Sequence, residues 1–274
     1  MFRTARASFF ALVFFFAIGA HAQSPALPTL SQSDFNNVIR ELAANSLFNS
    51  VTPASSLGAL FGVEVGLTGG VTNTPEINRL VNTQIPNTKA DYFPHASLLA
   101  AVTFPIAVTA EVLYVPQVSS QSVKYDAVGA ALKWTPTDGL LVWPLNMSVR
   151  GFLTKTKVSF NQIINNASTA NQDVNTTVTY DGEVKGLQLL VSPKVIPVLE
   201  PYAGIGQYYA SGKMDVSGTA QLFNFSSAQS ASSSPTTTAY LLGLDVRLLV
   251  LAFGVQYERA FDTSVYTGRL SLRF

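Results

Sequence analysis

The chain has no cysteine, which excludes disulfide staples, thiol nucleophiles and thiolate metal sites. Charge is nearly as scarce. Asp, Glu, Lys and Arg make up 12% of the 274 residues, against roughly a quarter in soluble proteins, too little to coat a soluble surface. The 17 basic and 16 acidic side chains almost cancel, so no basic field invites nucleic acid and no polyanion partner is expected. Histidine occurs only at His21 and His95. No imidazole or thiolate cluster is available to a metal, and no cofactor is implied.

Long apolar runs are missing as well, except at the start. There "MFRTARASFFALVFFFAIGAHAQS" combines Arg3 and Arg6, an apolar stretch from about Phe9 to Gly19, and small residues at Ala20 and Ala22. This is the layout of a secretory signal peptide with an A-x-A site. The apolar stretch is short for a bilayer span, so residues 1–22 are read as a leader cleaved near Ala22.

What the chain does have is periodicity. Residues 23–56 read as a linker followed by an amphipathic helix over 33–48. Ser31 and Asp34 make a capping-box start, and Phe35, Val38, Ile39, Leu42 and Leu47 or Phe48 share one face. Such a helix can simply pack against the rest of the fold, or act as a plug or lid.

From Leu57 onward the period is two. In "LGALFGVEVGLT" Leu57, Phe61, Val63, Val65 and Leu67 share one face, with glycines, Glu64 and Thr68 on the other. The segment "YLLGLDVRLLVLAFGVQYE" separates strand from helix. A membrane helix would send Asp245 and Arg247 about 200° apart, leaving one in lipid or core; a strand puts both on one side. Ten strands are predicted, at about 57–70, 91–104, 106–116, 121–135, 144–160, 178–192, 199–214, 236–247, 249–261 and 264–274.

Long polar connections at 71–90, 161–177 and 215–235 all fall after odd-numbered strands, so they emerge at one end. The even-numbered connections are short, and both chain termini are expected at their end. Tyr114, Tyr240, Tyr257 and Tyr266 fall near the long-loop end, and Phe104, Trp134, Trp143 and Phe274 near the other, as two interfacial belts would require. A soluble barrel would cover its outside with charge. Here the charges share the glycine face, so the apolar face points outward. The fold expected is all-β: a transmembrane, antiparallel up-and-down β-barrel of about ten strands over 57–274, with a short N-terminal helix.

The final "YTGRLSLRF" sets Tyr266, Gly268, Leu270, Leu272 and Phe274 at alternate positions and ends on an aromatic. It resembles the C-terminal strand that bacterial outer-membrane barrels present to their assembly machinery. The resemblance implies a bacterial outer-membrane protein, with membrane lipid and the barrel assembly machinery as partners. It assigns no substrate.

Enzymes occur among such barrels. His95 and Ser97 share a face in "PHASLL" and look like the His-x-Ser pair of the outer-membrane phospholipase. By parity they point into the lumen, however, and Leu98-Leu99 stand where that family has Asn-Gly; omptin-type proteolysis needs Asp pairs and a rim histidine that this chain lacks. No enzyme activity is expected. Gly58, Gly62, Gly66, Gly129, Gly204, Gly206, Gly243 and Gly254 are ascribed to barrel curvature and lack of interior room.

The inward face is expected to carry Glu64, Glu111, Arg150, Lys185, Asp245, Arg247, Glu258, Arg269 and Arg273, paired across neighbouring strands because opposite charges in a narrow interior are costly alone. Asp245 should find partners on the following strand and Glu258 the arginines of the last. Side chains fill much of so small a barrel. The chain therefore reads as a narrow passive channel for small solutes, or else as a closed structural or surface-interaction barrel presenting polar loops.

Overall fold

The structure is a computed structural model describing residues 32–58, 60–84, 91–120, 123–138, 143–165, 173–194, 198–218 and 229–274. The expected leader 1–22, the expected linker after it, Ser31 of the expected capping box and the centres of the long loops lie outside the described residues. α1 (Gln32–Asn45) comes first, and β1 (Gly62–Asn73) is followed by α2 (Pro75–Gln84). Then come β2 (Tyr92–Phe104), β3 (Val108–Ser120), β4 (Val123–Trp134), β5 (Leu145–Asn165), β6 (Asp173–Pro193) and β7 (Leu199–Gly218). The chain ends with β8 (Gln229–Ser233), β9 (Thr236–Leu248), β10 (Leu251–Ala260) and β11 (Thr263–Arg273).

Every wall strand pairs antiparallel with its neighbours, and β1 pairs with β11, so the sheet closes. β8 pairs with the far part of β7, ending at Gly212↔Ser233, and β9 takes up the same flank at Tyr209↔Thr236. These two share one place in the wall, which therefore has ten strands. Closure removes the bare edge that lipid cannot satisfy. At the seam Val63 and Phe274 exchange both backbone hydrogen bonds at 2.8 Å, and Glu64 stands opposite Arg273. The barrel thus starts at Gly62, five residues later than the expected Leu57.

Alternation decides which face meets lipid. Leu67, Leu98, Val112, Leu132, Val255 and Leu270 are exposed on the outer face, while Thr68, Leu99, Glu111, Lys133, Gln256 and Arg269 between them are buried. Tyr114, Tyr240 and Tyr266 stand outward toward one end, and Phe104, Trp134, Trp143 and Phe274 toward the other. The fold is a transmembrane antiparallel up-and-down barrel. Two tight turns, Ile106-Ala107 and Phe261-Asp262, hold both central residues at positive φ, the primed geometry that matches strand twist.

β5, β6 and β7 run 21, 21 and 20 residues, whereas the seven remaining full strands run 10 to 13. The wall is taller on that side, at the end that carries α2. α1 lies in this mouth: Phe35 and Ile39 pack against Val158 and Tyr180, Arg40 reaches Asp262 at 2.5 Å and Arg79 reaches Asp34. The amphipathic face read from the sequence is the face buried here. From Asn45 the chain descends through the lumen to Leu57, whose N–H donates to Thr103 Oγ1 at 3.1 Å. The first described residues therefore lie at the long-loop end, not at the short-turn end where both termini were expected. Burying the apolar face of α1 inside the mouth outweighs leaving it in the opposite solvent.

α2 lies inside the first long loop, where no helix was expected. Its start was nonetheless written in the sequence: Thr74, Pro75 at the first helical position and Glu76 form a usual entry.

Candidate functional site

Residues 43–56 are all buried. They form a plug that crosses the lumen, and wall glycines make room for it and for α1 above it. A Cβ at Gly129 would lie 2.8 Å from the Phe48 ring, one at Gly212 2.9 Å from Ile39, and one at Gly254 2.9 Å from Val51. Phe48 stacks on Phe152 at 6.0 Å, and Phe152 meets Tyr208 edge-on at 5.1 Å. Full burial of side chains such as Ile39, Phe48 and Val51 contributes roughly 1.5–3 kcal/mol each. Val51 pays for its position with φ 54, a left-handed backbone that β-branched residues adopt with strain.

The same plug is held by polar contacts. Lys133 Nζ donates to Pro53 O at 2.9 Å and to Ser55 O at 3.0 Å, and lies 3.6 Å from Glu111. Arg150 donates to Ser50 Oγ at 2.7 Å and Thr52 Oγ1 at 3.0 Å, faces Glu111 at 3.5 Å and sits over the Phe48 ring. Lower down, Glu200 accepts from Ser55 Oγ at 2.7 Å and pairs with Arg247 at 2.6 Å. Ser56 Oγ donates to Asp138 at 2.6 Å. Strands β3, β4, β5, β7 and β9 thus grip successive residues of one segment.

A second cluster ties the seam to the wall beyond it. Arg269 pairs with Glu64 at 3.1 Å and with Asp245, and Arg273 pairs with Glu64 at 2.9 Å and Asp245 at 3.4 Å. Arg247 adds a third cation beside Asp245, at 3.0 Å. Asp245 therefore reaches β11 rather than the adjacent β10, because the row between them holds Gly254.

Eight of the nine residues expected in the lumen lie on the inner face. Lys185 does not: it is exposed, in one row with the outward Leu153 and Tyr209. Its parity is that of Leu187 and Leu189, a signal present in the sequence. Glu258 is inside but pairs with no arginine of β11 among the described residues. Its register partner is Val265, far along the strand from Arg269, and its carboxylate accepts instead from Tyr208 OH at 2.6 Å and Gln256 Nε2 at 2.9 Å. Lys133 and Glu200 were missed. Lys133 lies between the outward Leu132 and Trp134, so alternation alone places it inside. On the wall strands, the formal charges of Glu64, Glu111, Glu200, Asp245 and Glu258 balance those of Lys133, Arg150, Arg247, Arg269 and Arg273.

His95 and Ser97 face the lumen, away from lipid. His95 Nε2 lies 3.1 Å from Thr267 Oγ1 and Nδ1 3.3 Å from Asn45 of the plug; Ser97 shares a 2.7 Å hydrogen bond with Thr68. The two side chains are spoken for by different partners. Near them is a cavity of about 30 Å³ bordered by Asn49, His95, Ser97 and Thr154. Both amide atoms of Asn49 and the Thr154 hydroxyl lack protein partners, which suits a water or two. No group of three or more His, Asp or Glu among the described residues could hold a metal ion.

Solved structures similar to this chain include distant bacterial surface proteins. The attachment invasion locus protein Ail of Yersinia pestis is 14% identical, over 78% of this chain and 97% of that one, with a TM-score of 0.30. The translocator domain of the autotransporter NalP from Neisseria meningitidis is 11% identical over 88% and 95%, with a TM-score of 0.36. Neisserial surface protein A is 11% identical over 78% and 97%, with a TM-score of 0.26. No curated protein matches the chain. A family model does, over residues 29–265, from just before α1 into β11. The chain belongs to that family, the family of unknown function DUF6588.

Proposed function

We propose that this protein is an integral barrel of the bacterial outer membrane, kept closed by its own N-terminal segment, that presents its tall β5–β7 side and long loops to the exterior. The apolar outer face and closed antiparallel wall support the membrane reading, and the leader-like N-terminus with the Phe274 ending supports the outer membrane. One observation carries the closed state: residues 43–56 fill the lumen and are gripped by Lys133, Arg150 and Glu200 from three sides. A freely conducting channel would need this segment to leave.

Planar-bilayer recording of the refolded mature barrel tests the reading. No steady conductance is expected from the wild type. A stable open level in the wild type would overturn it. The gated alternative draws on the three glycine-backed contacts, which are shape contacts rather than covalent ones. It predicts openings only when those contacts are weakened.

A further inference from the structure

The outer face of the tall side carries a patterned patch of charge. Along β4 to β7 the outward residues fall in rows set by the strand register. One row is Ala130, Leu153, Lys185 and Tyr209; the next is Val128, Lys155, Glu183 and Ser211; the next is Asp126, Lys157, Asp181 and Lys213. The apolar outer face thus ends at a tyrosine-level row, and the charges begin there. This is the depth of lipid headgroups rather than of acyl chains. At the loop end of the other strands the outward described residues include Val71, Pro94, Pro116, Thr238 and Ser264, with Arg259 the one outward cation among them.

Two lysines of the patch are held loosely, while a third, Lys213, pairs with Asp215 at 2.9 Å. Lys155 and Glu183 stand 3.8 Å apart, as do Lys157 and Asp181, with lysine side chains 64% and 57% exposed. Such pairs contribute only about 0–1 kcal/mol, so exchanging a carboxylate for another anion costs little. Lys185 has no carboxylate in its row at all, its neighbours being Leu153 and Tyr209. A lysine in such a place can lay its stem along apolar surface and carry its ammonium to the headgroup layer.

We propose that this face binds the phosphate groups of outer-leaflet lipid headgroups through Lys155, Lys157, Lys185 and Lys213, giving the barrel a lipid-specific side. The proposal rests on the outer-membrane reading above but is tested in detergent, so that its failure is separate from a failure of localisation, which cell fractionation reports. Interleaved carboxylates keep the lysines apart at strand spacing, which matches separate phosphates better than one compact polyanion. Partner phosphates meet this patch side-on, from the membrane plane.

The experiment is lipid retention by the refolded full chain in neutral detergent, read by native mass spectrometry with diphosphorylated lipid A, its dephosphorylated form and phosphatidylcholine as probes. Wild type should favour diphosphorylated lipid A over both others by at least about tenfold. The quadruple variant K155Q/K157Q/K185Q/K213Q should lose that preference, and D126N/D181N/E183Q should strengthen it; heat-modifiable gel migration confirms that each variant is folded. Equal retention of the three lipids by wild type, or an unchanged preference in the lysine variant, would overturn the proposal. Displacement of lipid A by millimolar inorganic phosphate would also overturn it, since it would mean a free-anion site.

Discussion

Asp245 on β9 and Arg269 on β11 form an ion pair across an intervening strand, over the bare backbone of Gly254. The same glycine takes the side chain of Val51 from the plug. One missing side chain therefore serves both the seam cluster and the closure of the lumen.

A side chain at position 254 should disturb both. Gly254→Ala places a Cβ 2.9 Å from Val51 Cγ1 and 3.1 Å from Val51 O, an overpacking that costs about 1–3 kcal/mol. The plug is expected to yield before the ladder does. Bilayer recording of this variant should show intermittent openings absent from the wild type, with far-ultraviolet circular dichroism unchanged.

Asp245 faces three arginines, so removing its charge leaves buried cations short of partners. Asp245→Asn should lower the urea midpoint of refolding by the equivalent of about 3–5 kcal/mol. Combining it with Arg269→Met should restore part of that loss. A double variant as unstable as the sum of the singles would argue against direct coupling.

Lys133 supplies two of the hydrogen bonds that fix the plug backbone, to Pro53 and Ser55. Lys133→Met keeps the stem and removes the ammonium, leaving two carbonyls unsatisfied at about 1–3 kcal/mol each. Hydrogen exchange should then accelerate selectively over residues 50–57, while the β5–β6 ladder keeps its protection.

Glu41 on α1 accepts the N–H groups of Glu76 at 2.7 Å and Ile77 at 2.9 Å, and so caps α2 from another element. Burial nevertheless raises its pKa above the usual carboxylate value of 4.5, more than those hydrogen bonds lower it. A folded-state pKa above the unfolded one means that the folded state holds the proton more tightly. Ionisation of Glu41 thus costs folded-state stability as pH rises from the ordinary value through the raised one, and acidification through that window favours the α1–α2 contact. Protection of the α2 amides should rise slightly as pH falls toward 4.5, and Glu41→Gln should remove this dependence.

Threading of the plug places Ser33, which is exposed, at the long-loop end. Because the chain lacks cysteine, Ser33→Cys introduces a single thiol. A membrane-impermeant maleimide should label it in intact cells. Labelling only after lysis would overturn the assignment of the long-loop end to the cell exterior.

Alternation with period two, the scarcity of charge and the outward aromatics were enough to read a ten-strand membrane barrel from the sequence, because in a barrel each strand carries its own inside and outside. The inward positions of Glu64, Glu111, Asp245 and Arg269 followed from the same parity, and so would the inward position of Lys133 and the outward one of Lys185 if parity alone had been applied. Partners did not follow. Whether Glu258 meets an arginine or Tyr208 depends on register across the ladder, and one residue of shift changes every opposing pair. The amphipathic face of α1 was visible too, but not what it covers. Only the closed wall creates the lumen that receives residues 43–56, and only there do Gly129 and Gly254, far apart in the sequence, become contacts for one segment. Local periodicity determined the barrel; the long-range fit between plug and wall, which no local pattern encodes, decided which segment occupies its lumen.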